Sequence, residues 1–334
     1  MLTYKTRERV ITKHMSKIYY YCPTPNRPSG GVQVIYRHVE LLNKAGIDAV
    51  VLHQQRLFKK SYRYSWGVGD DTKVEYFGSK SDIKTCSNDI FVFPEIALDK
   101  ISISGSNSYV IFNQNCYNTF SRESKNVFTI YNNAFATLVV SQDSQEYLSF
   151  LAAGIRTVRL FLSINSALFH YQQKKKKQIA YMSRKNTSDL YQIKELLNIR
   201  GNIKNYEFID ITRKPLHEVA GILKESLLFL SSSTKEGFGL PPAEAMACGC
   251  IVLGYCGQAG REFMLPENSI PIAQEDIVTF SKSIEKVVKE YEQLPDRLDS
   301  MRSNASRFIL EQYSTANEKS SLLEFWFGAL RRDH

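Results

Sequence analysis

Short apolar runs alternate along the chain with stretches in which apolar residues recur every three or four positions. Residues 17–22 (KIYYYC) form the first such run, and Pro23, Pro25, Pro28, Gly30 and Gly31 break it, so a strand followed by a loop is expected. From Val32 the positions Val32, Ile35, Tyr36, Val39, Leu42 and Ala45 keep a helical period as far as Gly46, a suitable C-terminal cap. Residues 49–52 (AVVL) then read as a second buried strand. Strand, glycine turn, helix and strand make a βαβ unit, whose right-handed crossover requires a parallel sheet.

The alternation continues through strands at 90–93, 109–112 and 137–140, a helix ending near Gly154 and an extended run at 158–162. Residues 166–178 turn polar, and the four consecutive lysines at 174–177 mark the expected linker. A second series follows, with strands at 179–182, 206–211, 227–230 and 251–255. Helices are expected near 190–199 and 215–224, and another begins near Pro241. This is an α/β pattern of two doubly wound, Rossmann-like domains facing a cleft, the first over residues 16–165 and the second over 166–314. Three helices, at 275–291, 296–312 and 315–330, end the chain. The last carries Leu322, Leu323, Phe325, Trp326, Phe327 and Leu330, too apolar for a free tail, so it must dock.

Composition narrows the classes. With 334 residues, about two domains fit. Hydrophobic residues make up 43% and charged residues 23%, which excludes global disorder. No run approaches the ~20 apolar residues that cross a bilayer. The basic first 15 residues lack the apolar segment of a signal sequence and read as a disordered tail. Cys22, Cys86, Cys116, Cys248, Cys250 and Cys256 form no CxxC pair, so a thiol-reducing, cytoplasmic setting is expected, with no metal.

The most informative segment spans residues 231–249, SSSTKEGFGLPPAEAMACG. It leaves the C-terminal end of a buried strand, where open α/β sheets place ligands. Pro241 and Pro242 suit a helix's first turn, and Gly237 and Gly239 let backbone approach a ligand closely. The N-terminus of the new helix favours an anion such as phosphate. Glu236 and Glu244 bracket that site. Carboxylates beside a phosphate need hydroxyl partners, and ribose and sugars supply them, so the segment suits a nucleotide sugar.

The segment resembles glycosyltransferase family 4 and its GT-B relatives, whose signature S-x-x-E-G-F-G-L-P-x-x-E-A-M-A-x-G is matched from Ser233 to Gly249. The resemblance extends to Gly30-Gly31, to the GQAGRE turn at 257–262, and to Arg184 and Lys185, similar to the cations that hold the departing diphosphate. It implies a GT-B fold with residues 315–334 returning to the first domain. It further implies metal-independent, retaining transfer of a sugar from UDP or GDP to a glycan or lipid-linked acceptor. Glu236, Arg184 and Lys185 would be catalytic. Glu244, Gly237, Phe238, Gly239, Leu240, Gly30 and Gly31 would bind the donor. Which of the adjacent Arg184 and Lys185 meets phosphate is left open, and no D-x-D sequence is present.

Where many members carry a cleft histidine, this chain has Asn113-Gln114-Asn115, and Glu95 follows an earlier strand; these are the candidate acceptor or sugar contacts. Arg56, Lys59, Lys60 and Arg63 interleave with Phe58, Tyr62, Tyr64 and Trp66. That pattern suits a solvated loop or peripheral contact with a membrane or lipid-linked acceptor, and no nucleic-acid partner is expected. Two other classes fit the same residues, a nucleotide-sugar epimerase of this fold and a non-catalytic nucleotide- or polyanion-binding module.

Overall fold

The computed structural model describes residues 16–24, 29–54, 72–78, 83–121 and 126–331. The basic tail and the basic–aromatic loop around residues 56–66 lie outside them.

The first sheet takes β1 (Ile18–Tyr21), β2 (Ala49–His53), β3 (Val74–Tyr76), β4 (Ile90–Pro94), β5 (Ser108–Asn113), β6 (Ala136–Val139) and β7 (Thr157–Arg159). Its order is β3-β2-β1-β4-β5-β6-β7, and every pairing is parallel. Chain order runs one way from β1 to β3 and the other from β4 to β7, so the switch point lies between β1 and β4. Helix α1 (Gly30–Lys44) follows β1 and buries Val32, Ile35, Val39 and Leu42 against the sheet. Two further helices, α2 (Val127–Asn133) and α3 (Gln142–Leu151), flank β6. Strand β3 and helix α2 were not expected. Each is short, at three and seven residues, and so leaves little periodicity to read.

The second sheet is built from β8 (Lys176–Tyr181), β9 (Glu207–Asp210), β10 (Ser226–Ser231), β11 (Ile251–Gly254) and β12 (Ile270–Pro271). It is parallel in the order β12-β11-β10-β8-β9, with its switch point between β8 and β10. The connecting helices are α4 (Thr187–Arg200), α5 (Leu216–Glu225) and α6 (Leu240–Ala247), followed by α7 (Ile277–Gln293) and α8 (Asp296–Gln312). Asn186 caps α4 by accepting from the Asp189 amide at 3.3 Å, and Gly201, at φ 72°, ends it.

The lysine run is not a plain linker. Lys176 and Lys177 begin β8, paired with Glu225 and Glu292 at 2.7 and 2.6 Å. Lys175 Nζ donates to the carbonyls of Leu223, Lys224 and Cys248, closing the ends of α5 and α6. Such carbonyls are the unpaired acceptors of a helix terminus, so a cation fits there.

The last helix, α9 (Thr315–Arg331), returns to the first sheet. Its Trp326 is fully buried, and the indole N–H donates to the Tyr20 hydroxyl at 3.1 Å. Where the chain crosses between lobes twice, the Ile164 amide donates to the Tyr313 carbonyl at 2.8 Å and ties the crossings together. Arg302, 1% exposed, donates to the carbonyls of Gln172, Gln173 and Gly249 and so locks α8 beside the first crossing.

Candidate functional site

Both switch points open onto one cleft. In the second lobe, β10 ends at Ser231 and the loop to α6 carries Glu236; β8 ends at Tyr181 and the loop to α4 carries Arg184 and Lys185. The two loops meet through Lys185 Nζ, which donates to Glu236 Oε2 at 3.0 Å. Ser233 Oγ donates to the other oxygen, Oε1, at 2.7 Å. The Glu236 amide donates to the Gly257 carbonyl at 2.8 Å, so the GQAGRE turn buttresses this loop. Gly257 sits at φ 61°, and a Cβ there would come within 3.1 Å of the Glu236 side chain.

A part of the site absent from the sequence reading holds the cationic loop in place. Asp210, at the end of β9, accepts from Ser183 Oγ at 2.6 Å and from the Thr212 amide at 2.8 Å. The Ser183 amide donates to Thr212 Oγ1 at 3.0 Å. Burial alone would raise the Asp210 carboxyl, yet these hydrogen bonds hold it below its ordinary value. Arg184 is exposed beside this anchor, while Lys185 is engaged with Glu236.

Helix α6 starts at Leu240 after Gly239, whose φ of 99° only glycine adopts readily. Pro241 and Pro242 carry no N–H, so the anion-binding end rests on the amides of Gly239 and Leu240. That is a smaller donor set than an ordinary helix start provides. Glu244 follows one turn later, partly buried, and burial pushes its carboxyl up to about 7 while Arg37 of α1 draws it down.

The first lobe brings Gly30, Gly31, Gln114 and Asn115 to the same cleft. Gly30 and Gly31 are not in the loop but open α1 itself, so their amides are helix-terminal donors that lack an intrahelical acceptor. A Cβ on Gly30 would lie 2.8 Å from Leu240 Cδ1, and one on Gly237 only 1.9 Å from the Gln114 carbonyl oxygen. Real Cβ atoms do not approach so closely, so glycine is what lets the lobes touch there. Gln114 Nε2 donates to the Gly31 carbonyl at 3.2 Å, and Asn115 Nδ2 to the Lys235 carbonyl across the cleft at 3.4 Å.

Three expected contacts turn inward instead. Asn113 is fully buried, and its Nδ2 donates to Thr119 Oγ1 and the Tyr131 hydroxyl at 3.1 and 2.7 Å, which braces the loop. Glu95 is 6% exposed and accepts from the Gln114 amide at 2.9 Å and Asn118 Nδ2 at 3.3 Å. It orders the Gln114 turn, and burial pushes its carboxyl up to about 7. Phe238, 4% exposed, packs against Phe263 and Tyr313 with ring centroids 5.4 and 4.9 Å apart. Its motif position therefore serves packing.

Glu262, at the end of the GQAGRE turn, reaches the first lobe, pairing with Arg159 and accepting from the Gln142 amide at the start of α3. It is a clasp between lobes. Among the described residues, no group of three or more His, Cys, Asp and Glu side chains is arranged to hold a metal ion. Nor is any helix among them long and apolar enough to cross a membrane.

Comparison with known proteins agrees with this geometry. Residues 171–307 match the family described as glycosyl transferases group 1. An alpha-1,6-glucosyltransferase of Actinobacillus pleuropneumoniae serotype 7 (strain AP76) is 25% identical over 252 residues, covering 71% of this chain and 72% of that protein. A mutant form of S. aureus TarM, in complex with Fondaparinux, alpha-GlcNAc-glycerol and UDP, superposes with a TM-score of 0.70 at 12% identity. That match covers 95% of this chain and 100% of TarM. Anabaena HepE in complex with UDP-glucose gives 0.69 at 13%, covering 93% and 99% of the two chains. At such identities the structures speak to the fold, which is GT-B.

Proposed function

The chain is a glycosyltransferase of the GT-B fold, and we propose that it moves a hexose from UDP to a glycan or lipid-linked acceptor with retention of configuration. The first lobe is the acceptor side and the second the donor side. The observation that carries this reading is the Lys185–Glu236 pair at the switch point of the second sheet, 3.0 Å apart and one loop from the start of α6. A diphosphate seated there meets Arg184, Lys185 and the amides of Gly239 and Leu240, while Glu236 faces the sugar and Glu244 the ribose hydroxyls.

In this arrangement the bond from the anomeric carbon to the diphosphate oxygen breaks as the acceptor oxygen attacks from the same face. The acceptor's proton passes to the departing phosphate oxygen, so no separate protein base is required. Charge building on that phosphate is met by Lys185 and Arg184, preorganised by the Asp210 network, a use of fixed charge that commonly dominates catalysis. No divalent ion is needed for that role. The UDP complexes among the structural neighbours and the glucosyltransferase relative support UDP-glucose as the first donor to test.

Thermal denaturation with UDP, GDP, CMP, dTDP and ADP in EDTA tests the donor site. UDP at ~100 times its Kd should add roughly 2.7 kcal/mol of stability, and Glu244→Ala should remove most of it. Absence of stabilisation by every nucleotide at millimolar concentration would overturn the reading.

A further inference from the structure

Lys185 and Glu236 are long side chains and partly exposed, so their contact does not hold its own geometry. The two loops are fixed at their bases instead. On the Glu236 side, the Glu236 amide donates to the Gly257 carbonyl at 2.8 Å, and Gly257 stands two positions after Tyr255. The Tyr255 amide donates to the Ser231 carbonyl at 2.7 Å, and Ser231 Oγ donates to the Tyr255 carbonyl at 2.6 Å, so Tyr255 is clamped to the end of β10. On the Lys185 side, Asn186 Nδ2 donates to Oδ2 of Asp189 in the first turn of α4 at 2.9 Å. The Tyr255 hydroxyl donates to that same oxygen at 2.9 Å.

These contacts close a circuit. It runs from Lys185 to Glu236, on to Gly257, back along the chain to Tyr255, across to Asp189 and Asn186, and so to Lys185 again. Lys185, Glu236, Cys256 and Gly257 line one cavity, so the circuit surrounds the place where the two charged side chains meet. Tyr255 is fully buried, and its ring packs edge-on against Phe280 with centroids 5.3 Å apart. A phenylalanine would fill that space equally well, so the hydroxyl is there for its polar contact with Asp189. Burial and then the Asp189 carboxylate push the phenol up, which keeps it a donor at any working pH.

We infer that Tyr255 is a positioning residue, whose hydroxyl closes the circuit and so sets Glu236 against Lys185. The inference rests on the donor site proposed above for its use in sugar transfer, while the circuit itself needs no ligand. Asp210 anchors the cationic loop from the β9 side, and Tyr255 ties the start of α4 to the turn that buttresses Glu236.

The test is amide hydrogen exchange by NMR on the full chain, beside steady-state kinetics with UDP-glucose. In Tyr255→Phe the Glu236 amide should exchange about tenfold faster, the lower end of what loss of a hydrogen bond to a charged group permits, with the amides inside β8 and β10 unchanged. Turnover should fall about tenfold while KM stays within about threefold, because Asp210 still holds the cationic loop. Asp189→Asn, which can still accept from the phenol, should keep most of the native exchange and kcat. Asp189→Ala should match Tyr255→Phe, and the double variant Tyr255→Phe/Asp189→Ala should lose no more than the worse single one. Unchanged Glu236 exchange in Tyr255→Phe, or fully additive losses in the double variant, overturns the inference. In a protein that turns over UDP-glucose, faster exchange with unchanged kcat overturns it as well, since the bond is then merely structural. Faster exchange in a protein that neither binds UDP nor turns over UDP-glucose leaves the circuit standing and removes the donor-site reading instead.

Discussion

Lys185 Nζ and Glu236 Oε2 lie 3.0 Å apart, and that contact joins the loops from the two strands that flank the switch point of the second sheet. The side chains are 32% and 17% exposed, so the pair adds up to ~1 kcal/mol to stability and either partner can be removed without unfolding the protein. Lys185→Ala and Glu236→Ala should each lower kcat on UDP-glucose by roughly 100-fold or more, with Tm nearly unchanged. The double variant should lose less than the product of the two. Unchanged kcat in both single variants would remove these residues from the reaction.

Gly237 is where the lobes come nearest. A side chain there meets the Gln114 carbonyl at 1.9 Å, so Gly237→Ala must push the Gln114 turn away from the donor loop. UDP affinity should stay within about threefold, because in the proposed site the second lobe carries it, while turnover should drop about 100-fold, the cost of misplacing a reacting group by about an ångström. Calorimetry beside steady-state kinetics distinguishes this from loss of fold, which would abolish both.

Asp210 fixes the cationic loop without touching a substrate in the proposed site. Asp210→Ala removes charged hydrogen bonds to Ser183 and Thr212, each worth about 1.5–3 kcal/mol. UDP binding should weaken about tenfold, with Asp210→Asn in between. Full affinity in the alanine variant would show that the loop orders itself.

Glu95 gives a pH signature. Burial pushes its carboxyl up to about 7 from an ordinary value of 4.5, against the opposing hydrogen bonds from Gln114 and Asn118. Between those two values the folded protein binds more protons than the unfolded chain. Stability therefore falls as pH rises through that window and levels off above it. The loss from this one group is on the order of 3 kcal/mol. Glu244 contributes a slope of the same sign, so Glu95→Gln should flatten the fall in Tm between pH 5 and pH 8 without abolishing it. A Tm profile identical to the unsubstituted protein would contradict the burial argument.

The fold was legible where the signal is local. Runs such as 90–93 and 227–230 became β4 and β10, and the segment from Ser233 to Gly249 landed at the strand-to-helix junction its glycines and prolines imply. What was not legible depends on partners distant in sequence. Phe238 reads as a motif residue until Phe263 and Tyr313 close over it. Asn113 reads as a cleft amide until Thr119 and Tyr131 claim it. Asp210 gave no motif at all, although an acid ending a strand beside the cationic loop was a signal that could have been weighed. The four lysines read as a linker because charge masks strand character, yet Lys176 and Lys177 begin β8 and Lys175 finds three helix-end carbonyls.

The return of α9 also bears on how the chain is made. Leu322, Phe325, Trp326 and Ala329 complete the core beside β1 and α1, and they leave the ribosome only after the whole second lobe. Strands β8 to β12 and helices α4 to α8 form one unbroken stretch, so the later-synthesised lobe has its whole set of elements before the earlier one does. Lobes commonly fold in order of synthesis. Here the first lobe must wait, with the Tyr20 and His38 surfaces uncovered, until α9 has emerged. Cutting the chain before α9 should thus damage the N-terminal lobe first, because the core beside β1 and α1 is then left open.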